Sequence, residues 1–383
     1  MKLFKSLLIA PATLGLLAPM SATANEVTIS DFTPAEQLAI TNSRVDGLEA
    51  RMNNIEAGSF SETTTATFGV NFYAGVINDD DNVAAGANDT DDNLMTGYDF
   101  NIGLNTSFTG EDSLDIELQA GEADQAGIAE FDTDTTTNEA LVVDEISYTF
   151  PVGDKMTVMV GDNKDASSLF TTACVYGGPT ITLDDCGIRN ANVDNGGTMV
   201  GAAYDFGNGL TAAVGYAGPE GNIANEEGQD ALGFNVAYAG DNYGISAVYG
   251  VLEDGATANS QDNMGTDFAY GVSAYYTPDG QLPSISVGYE YGEDDSAAAA
   301  SDSYTNLFAG LQWDEVGPGT LGVAFGTRVN TVEDTDAQYQ YEAFYDYPLN
   351  DGMTITPVIF VKDFSAAGTD DTTGVMVRTS FSF

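Results

Sequence analysis

The sequence predicts an all-β fold: a 16-stranded antiparallel transmembrane β-barrel preceded by a short coiled-coil helix. Three observations carry this reading. From residue 63 onward apolar and polar residues alternate with a period of two, the alternating runs are even in number, and the connections between them are long and short by turns.

The chain opens on a separate object. Lys2 and Lys5 precede the apolar stretch Leu7 to Leu17, and Ala22-Thr23-Ala24 supplies small residues for cleavage. Residues 1–24 are thus read as a secretory signal peptide, with a mature start near Asn25. Residues 25–59 form a periplasmic linker and helix. In SRVDGLEARMNNIEAG, Val45, Leu48, Met52 and Ile55 fall at spacings of three, four and three, the seam of a coiled coil over two heptads. Two readings stay open: an oligomer-forming stalk, or an amphipathic helix lying on its own domain.

Residues 60–383 are the barrel domain. Its sixteen alternating runs are 63–77, 94–109, 112–121, 141–150, 155–162, 196–206, 209–217, 231–240, 242–251, 266–277, 281–291, 303–313, 320–329, 338–347, 352–363 and 372–383. The second shows the pattern plainly, with Tyr98, Phe100, Ile102, Leu104 and Phe108 set against Asp99, Asn101, Gly103, Asn105 and Ser107. One face wants hydrocarbon and the other wants water.

Connections after odd-numbered runs are long and acidic, as in residues 78–93 and 122–140, whereas those after even-numbered runs are turns such as GED, PVGD, FGNG and GDN. A soluble sandwich has no reason to sort its loops by parity. A membrane barrel does, because short turns face the periplasm and long loops face outside, which places both termini in the periplasm. Every even run also ends in an outward-phase aromatic: Phe108, Phe150, Phe206, Tyr238, Tyr276, Trp313, Tyr347 and Phe383. That is the pattern of a girdle at a water–lipid boundary. Sixteen strands closed edge to edge leave a barrel wide enough for a water-filled lumen.

Composition removes other chemistries. There are 10 Lys+Arg, 59 Asp+Glu and no His, a formal net charge of −49. Without histidine there is no Ser-His-Asp triad and no imidazole metal ligand, and two cysteines cannot build a four-thiolate site. So acidic a chain is unsuited to nucleic acid. Gly stands at 43 of 383 residues, about 11% against an ordinary share of about 7%, which suits closely packed β backbones. Cys174 and Cys186, exported to an oxidising compartment, are expected to pair.

The leader MKLFKSLLIAPATLGLLAP, the helix RVDGLEARMNNIEAG followed by SFSETTTATFG, and the terminal strand ending in Phe383 together resemble the outer-membrane porins of cyanobacteria, the Som type related to carbohydrate-selective porins. The resemblance implies a homotrimer in outer-membrane lipid and passive diffusion of ions and small hydrophilic solutes. It also implies a surface-layer-homology module ahead of the coiled coil that grips cell-wall polymer. Here the chain departs, because only residues 25–37 separate cleavage site and helix, too few for that module.

By analogy with trimeric porins, whose third long loop folds into the lumen, loop 163–195 is the constriction candidate. Its 174–186 ring would stiffen it by about 2 to 4 kcal/mol in a chain-entropy model, or merely protect it from proteases. The phase of the alternation points Arg328, Lys362 and Arg378 inward, while the loop offers Asp165, Asp184, Asp185 and Asp194, so acid and base could face each other across the narrow point. Equally, each cation could pair locally with an inward carboxylate such as Glu342 or Glu117, and Lys164 and Arg189 fit either picture.

Asp79, Asp80 and Asp81, with Asp89, Asp91 and Asp92, could attract Ca²⁺ or Mg²⁺, but they lack the spacing of a dedicated loop, and solvated acidic loops are the default; no cofactor is expected. Three other classes make different demands on the sequence. A solute-specific porin would need an inward aromatic track, for which Phe308, Tyr275, Phe344 and Phe360 are scattered hints. A secreted acidic adhesin or surface-layer protein predicts no girdle and no sorted loops. A carboxylate-only hydrolase rests on Asp and Glu pairs that line any polar pore. A vestibule of this acidity concentrates cations at low ionic strength, so the reversal potential across a dilute salt gradient is expected to have cation sign and to shrink in concentrated salt.

Overall fold

The structure, a computed structural model, describes residues 64–78, 94–122, 130–131, 137, 139–193, 197–221, 223, 230–252, 268–293, 303–328, 331–332, 336–363 and 371–383. The chain divides into two units, 1–59 and 60–383, and all described residues belong to the second. The helix seam of Val45, Leu48, Met52 and Ile55 lies outside the described residues.

The strands are β1 (Thr64–Asn78), β2 (Met95–Thr106), β3 (Ser113–Glu122), β4 (Val142–Val152), β5 (Met156–Asp162), β6 (Thr198–Gly207), β7 (Leu210–Gly218), β8 (Ala231–Ala239), β9 (Tyr243–Leu252), β10 (Phe268–Tyr276), β11 (Ser284–Glu293), β12 (Ser303–Val316), β13 (Gly319–Thr327), the two-residue β14 (Thr331–Val332), β15 (Tyr339–Asn350), β16 (Met353–Lys362) and β17 (Thr372–Ser382). Every pairing is antiparallel. β1 bonds to β2 on one side and to β17 on the other, with Gly69 opposite Ser382 and Asn78 opposite Thr373. The seam is finished by the amide of Phe68 donating to the Phe383 carbonyl at 3.0 Å and the amide of Phe383 returning the bond at 3.1 Å. The sheet is a closed barrel of sixteen spanning strands, because β14 pairs with β12, the same neighbour that β13 uses.

That last detail corrects one run. The alternation predicts a single strand over 320–329; among the described residues β13 ends at Thr327 and β14 begins at Thr331 with a register offset of two against β12, since Phe308 faces Gly326 while Thr305 faces Thr331. Arg328 lies at this break, and towards β15 it keeps the register of the Thr327–Tyr339 pair, its amide donating to the Gln338 carbonyl at 2.8 Å. The parity of the connections stands as read: two residues join β6 to β7, while 35 residues separate β5 from β6. At the β2–β3 turn, Asp112 accepts from the Tyr148 hydroxyl at 2.7 Å and from the Thr109 amide at 2.7 Å, which holds its carboxyl below the ordinary carboxylate range.

Burial runs inside out. On β8 to β11 the outward side chains, among them Phe234, Val236, Ile245, Tyr249, Val272 and Val287, are exposed, while the inward Asn235, Ser246, Ser273 and Ser286 are buried. A sheet that shows hydrocarbon outward suits lipid. The inward face is less uniformly polar than the alternation suggested. Phe308, Phe344, Val358, Phe360 and Met376 point inward and are buried with Tyr73, Phe131, Tyr176 and Leu183, so part of the interior is an apolar core between wall and loop.

Because Val272 sits mid-strand on the lipid side, Val272→Arg is expected to weaken folding into bilayers by about 2 to 4 kcal/mol, whereas Asn105→Arg on the lumen side is expected to stay within about 1 kcal/mol. Urea titration of barrel folding into lipid vesicles measures both.

Candidate functional site

The connection from β5 to β6 folds into the barrel, and its described residues 163–193 lie on the inner wall. From Thr171 to Gly177 it runs extended across the strands. Alternate amides dock on successive inward side chains: Thr171 donates to Asn235 Oδ1 at 2.9 Å, Ala173 to Ser273 Oγ at 3.3 Å, Val175 to Ser286 Oγ at 3.0 Å and Gly177 to Gln312 Oε1 at 2.9 Å. Ser246 Oγ in turn donates to the Thr171 carbonyl at 2.9 Å. A buried amide needs an acceptor, and β8, β10, β11 and β12 each supply one.

The wall also makes room. A Cβ on Gly288 would collide with the carbonyl of Cys186, and one on Gly215 with the carbonyl of Ala166, so these two inward glycines allow the loop backbone to lie directly on the sheet. The Cys174–Cys186 disulfide is present, with a Cα separation of 6.2 Å. Val193 holds φ at 47°, a left-handed conformation unusual for a β-branched residue, and is fully buried between Gly233 and Gly250.

Charged groups tie the rest of the loop down. Glu290 of β11, fully buried, accepts from the amides of Asn190 and Ala191 at 2.9 and 2.8 Å through one oxygen, and from the side chains of Asn190 and Asn306 at 3.0 and 3.1 Å through the other. Glu342 of β15 accepts from the Tyr176 hydroxyl and from Thr180 Oγ1, both at 2.6 Å. Burial, with Glu342 beside it, pushes the Tyr176 phenol well above its ordinary range, so the hydroxyl keeps its proton as donor. Arg189 donates to the carbonyls of Thr182, Thr327 and Arg328.

A second segment enters the lumen. Glu130 and Phe131, in the β3–β4 connection, are buried, and Phe131 forms a bridge with Thr180 of the longer loop. Where the longer loop leaves β5, the wall of β2 to β4 presents Asn101, Asn105, Asp115, Glu117 and Glu145 inward, with Glu117 directly opposite Glu145. Lys164 pairs with Glu145, and a cavity of about 280 Å³ is lined there by Asp115, Glu117, Glu145 and Lys164. A channel lined this way offers carboxylate and amide oxygens to passing cations and water.

The cations named from the sequence are each engaged nearby. Lys362 forms a salt bridge with Glu130, Arg328 donates to Gln338, and Arg378 lies 5.9 Å from the centre of the Phe131 ring. Asp165 and Asp184 are half-buried on the loop and Asp185 is exposed, while Asp194 lies outside the described residues, as do Asp79, Asp80, Asp81, Asp89, Asp91 and Asp92. Among the described residues no group of three or more Cys, Asp or Glu is placed to hold a metal ion.

The eight end-of-strand aromatics sit on the outward phase at the short-turn end, exposed at Phe108, Phe206, Tyr276, Tyr347 and Phe383 and half-buried at Phe150, Tyr238 and Trp313. Several pair with neighbouring rings: Tyr204 with Phe206 at 4.8 Å, Phe68 with Phe383 at 5.5 Å and Tyr238 with Tyr243 at 5.6 Å. Sequence reading missed a matching set of outward rings at the long-loop end, where Tyr270 meets Tyr291 at 5.3 Å and Phe325 meets Tyr341 at 6.3 Å. It also missed Glu290, Glu130 and Phe131. An acidic residue in mid-strand at inward phase between two glycines, and a lone phenylalanine inside an acidic loop, were the available signals.

Known proteins resemble this one over most of its length. The chain is 26% identical to an uncharacterized protein, alr4550, of Nostoc sp. (strain PCC 7120), an alignment covering 95% of this chain and 74% of that protein. Solved structures of two engineered variants of the Rh. blastica porin share the fold at a TM-score of 0.56, with 13% and 14% identity, each covering 84% of this chain and 100% of theirs. The profile of the family described as Gram-negative porin matches residues 51–362. The chain belongs to the Gram-negative porin family, whose members are outer-membrane channels for solute diffusion and not enzymes.

Proposed function

We propose that this porin is a general, modestly cation-preferring diffusion pore of the cyanobacterial Som type, a homotrimer with both termini in the periplasm and its two aromatic rims at the lipid boundaries. The observation that carries the general-pore reading is the fate of the inward aromatics. Phe308, Phe344 and Phe360 are each 3% exposed or less, and the first two pack against Tyr176 of the loop at ring distances of 5.4 and 5.7 Å, while the fourth, Tyr275, is half-buried over Gly244 of the neighbouring strand. Rings spent on holding the loop are not a track for sugar. The carboxylates lining the cavity beside Lys164, Asp115, Glu117 and Glu145, support the cation preference more directly than the outer loops do. The Nostoc relative supports the cyanobacterial assignment, and the trimer rests on the resemblance.

Purified protein in a planar bilayer is expected to give stepwise openings, with permeability falling smoothly as solute size rises; current block that saturates with one sugar would replace this reading with the solute-specific one. Cross-linking of detergent-extracted protein should stop at three subunits. The double substitution Glu117→Gln with Glu145→Gln is expected to cut the cation-over-anion permeability ratio by roughly half, read from the reversal potential in a dilute salt gradient.

A second expectation concerns the loop. In Glu290→Gln an amide donor would face two existing donors, whichever way the group is turned, weakening loop docking by about 1 to 3 kcal/mol. Noisier single-channel current and easier proteolytic nicking within 163–197, in barrels that still migrate as folded before heating, are the measurements.

A further inference from the structure

The pair Glu130 and Phe131 is held inside the barrel by contacts that the β3–β4 hairpin itself does not require. The Phe131 ring is fully buried, 5.2 Å from the Tyr73 ring of β1, and the Arg378 guanidinium of β17 lies over it. The Glu130 carboxylate takes the Lys362 ammonium at the end of β16 on one oxygen and the Gln340 side-chain amide of β15, at 2.6 Å, on the other. Three wall strands near the seam, together with β1, therefore grip two residues that are far from them in sequence.

On its other side the pair grips the longer loop. Its backbone forms a β-bridge with Thr180, and the Ile181 amide donates to the Glu130 carbonyl at 3.0 Å. Thr180 is also bonded to the wall directly, through Glu342 and Gln340. The result is a sandwich of wall, pair and loop at one point. Upstream, Thr171 to Gly177 is docked on β8 to β12 by its own hydrogen bonds, so the contact at Thr180 and Ile181 positions the loop beyond the disulfide's first cysteine.

We propose that Glu130 and Phe131 are positioning residues for conduction: they clamp Thr180–Ile181 of the in-folded loop against β15 to β17, so that the free cross-section of the lumen is set by two loops and not by one. This rests on the reading of the chain as a diffusion pore. Releasing the clamp leaves the barrel, the upstream docking and the bonds of Thr180 to Glu342 and Gln340 in place, and removes one of the two holds on Thr180–Ile181, so that this stretch moves more widely in the lumen. The effect belongs to the size and steadiness of the current and not to barrel folding.

The test compares wild type, Phe131→Ala, Phe131→Leu, Glu130→Gln, Glu130→Lys, and Glu130→Lys combined with Lys362→Glu. Each is first checked as a folded barrel by its migration before and after heating, then recorded as single channels in a planar bilayer. Phe131→Ala and Glu130→Lys are expected to change the unitary conductance by roughly 1.5-fold and to raise open-channel noise, with Glu130→Gln intermediate. Phe131→Leu, which refills most of the slot, and the charge-swapped double variant are expected to return both towards wild type. A merely structural role would lower the temperature at which the barrel unfolds and leave the conductance of the barrels that remain folded unchanged. Steps in wild type, with conductance and noise unchanged in Phe131→Ala, Glu130→Gln and Glu130→Lys, would overturn the clamp and leave the pore reading standing. No steps from folded wild type would overturn the pore reading itself and the clamp with it.

Discussion

Everything in this protein follows from one constraint: a backbone amide or carbonyl in hydrocarbon has no water to turn to, so each must find its partner within the sheet. A sheet with an edge fails that test, and the barrel removes the edge by pairing β1 with β17 along ten matched positions. The bonds between Phe68 and Phe383 carry the closure to the last residue of the chain. Once the cylinder is closed, the side chains have only two destinations, and the exposed belt of Val, Ile, Phe and Tyr on one of them is what lipid demands.

Closure creates a second problem. Sixteen strands make a cylinder too wide for its own side chains to fill. The β5–β6 connection occupies part of that space, and its peptide groups then meet the same demand for partners as those in lipid. The wall answers with Asn235, Ser273, Ser286 and Gln312 for the amides, with Glu290 and Glu342 for the charged and polar ends, and with glycines where the loop backbone comes closest. Arg189 performs the complementary task, saturating three carbonyls. Much of what looks like pore lining in one dimension is scaffolding for the loop.

The strands were readable because period two is a local property, visible in any ten residues, and because connections of two to seven residues leave antiparallel neighbours as the way to join them. Lys362, Arg378 and Arg328 were named from their phase alone; that Glu130, Phe131 and Gln338 lie beside them belongs to the folded chain. Glu342 was recognised as inward but not as a ligand of the loop. Glu290 was overlooked because an acid in an acidic chain carries no signal of its own. Phe131 lay in a stretch whose composition said loop, and composition does not say which way a loop turns.

Alternation, loop parity and the aromatic at the end of each even strand belong to the linear chain, because each depends on neighbours a few residues apart and on the solvent each face must meet. Which carboxylates face water and which hold a loop, and which loop enters the lumen with which partner, were decided only on closure. Tyr176 meets Glu342 across 166 residues and Gln340 meets Glu130 across 210, and contacts of that span exist only after the cylinder has brought distant strands to one interior.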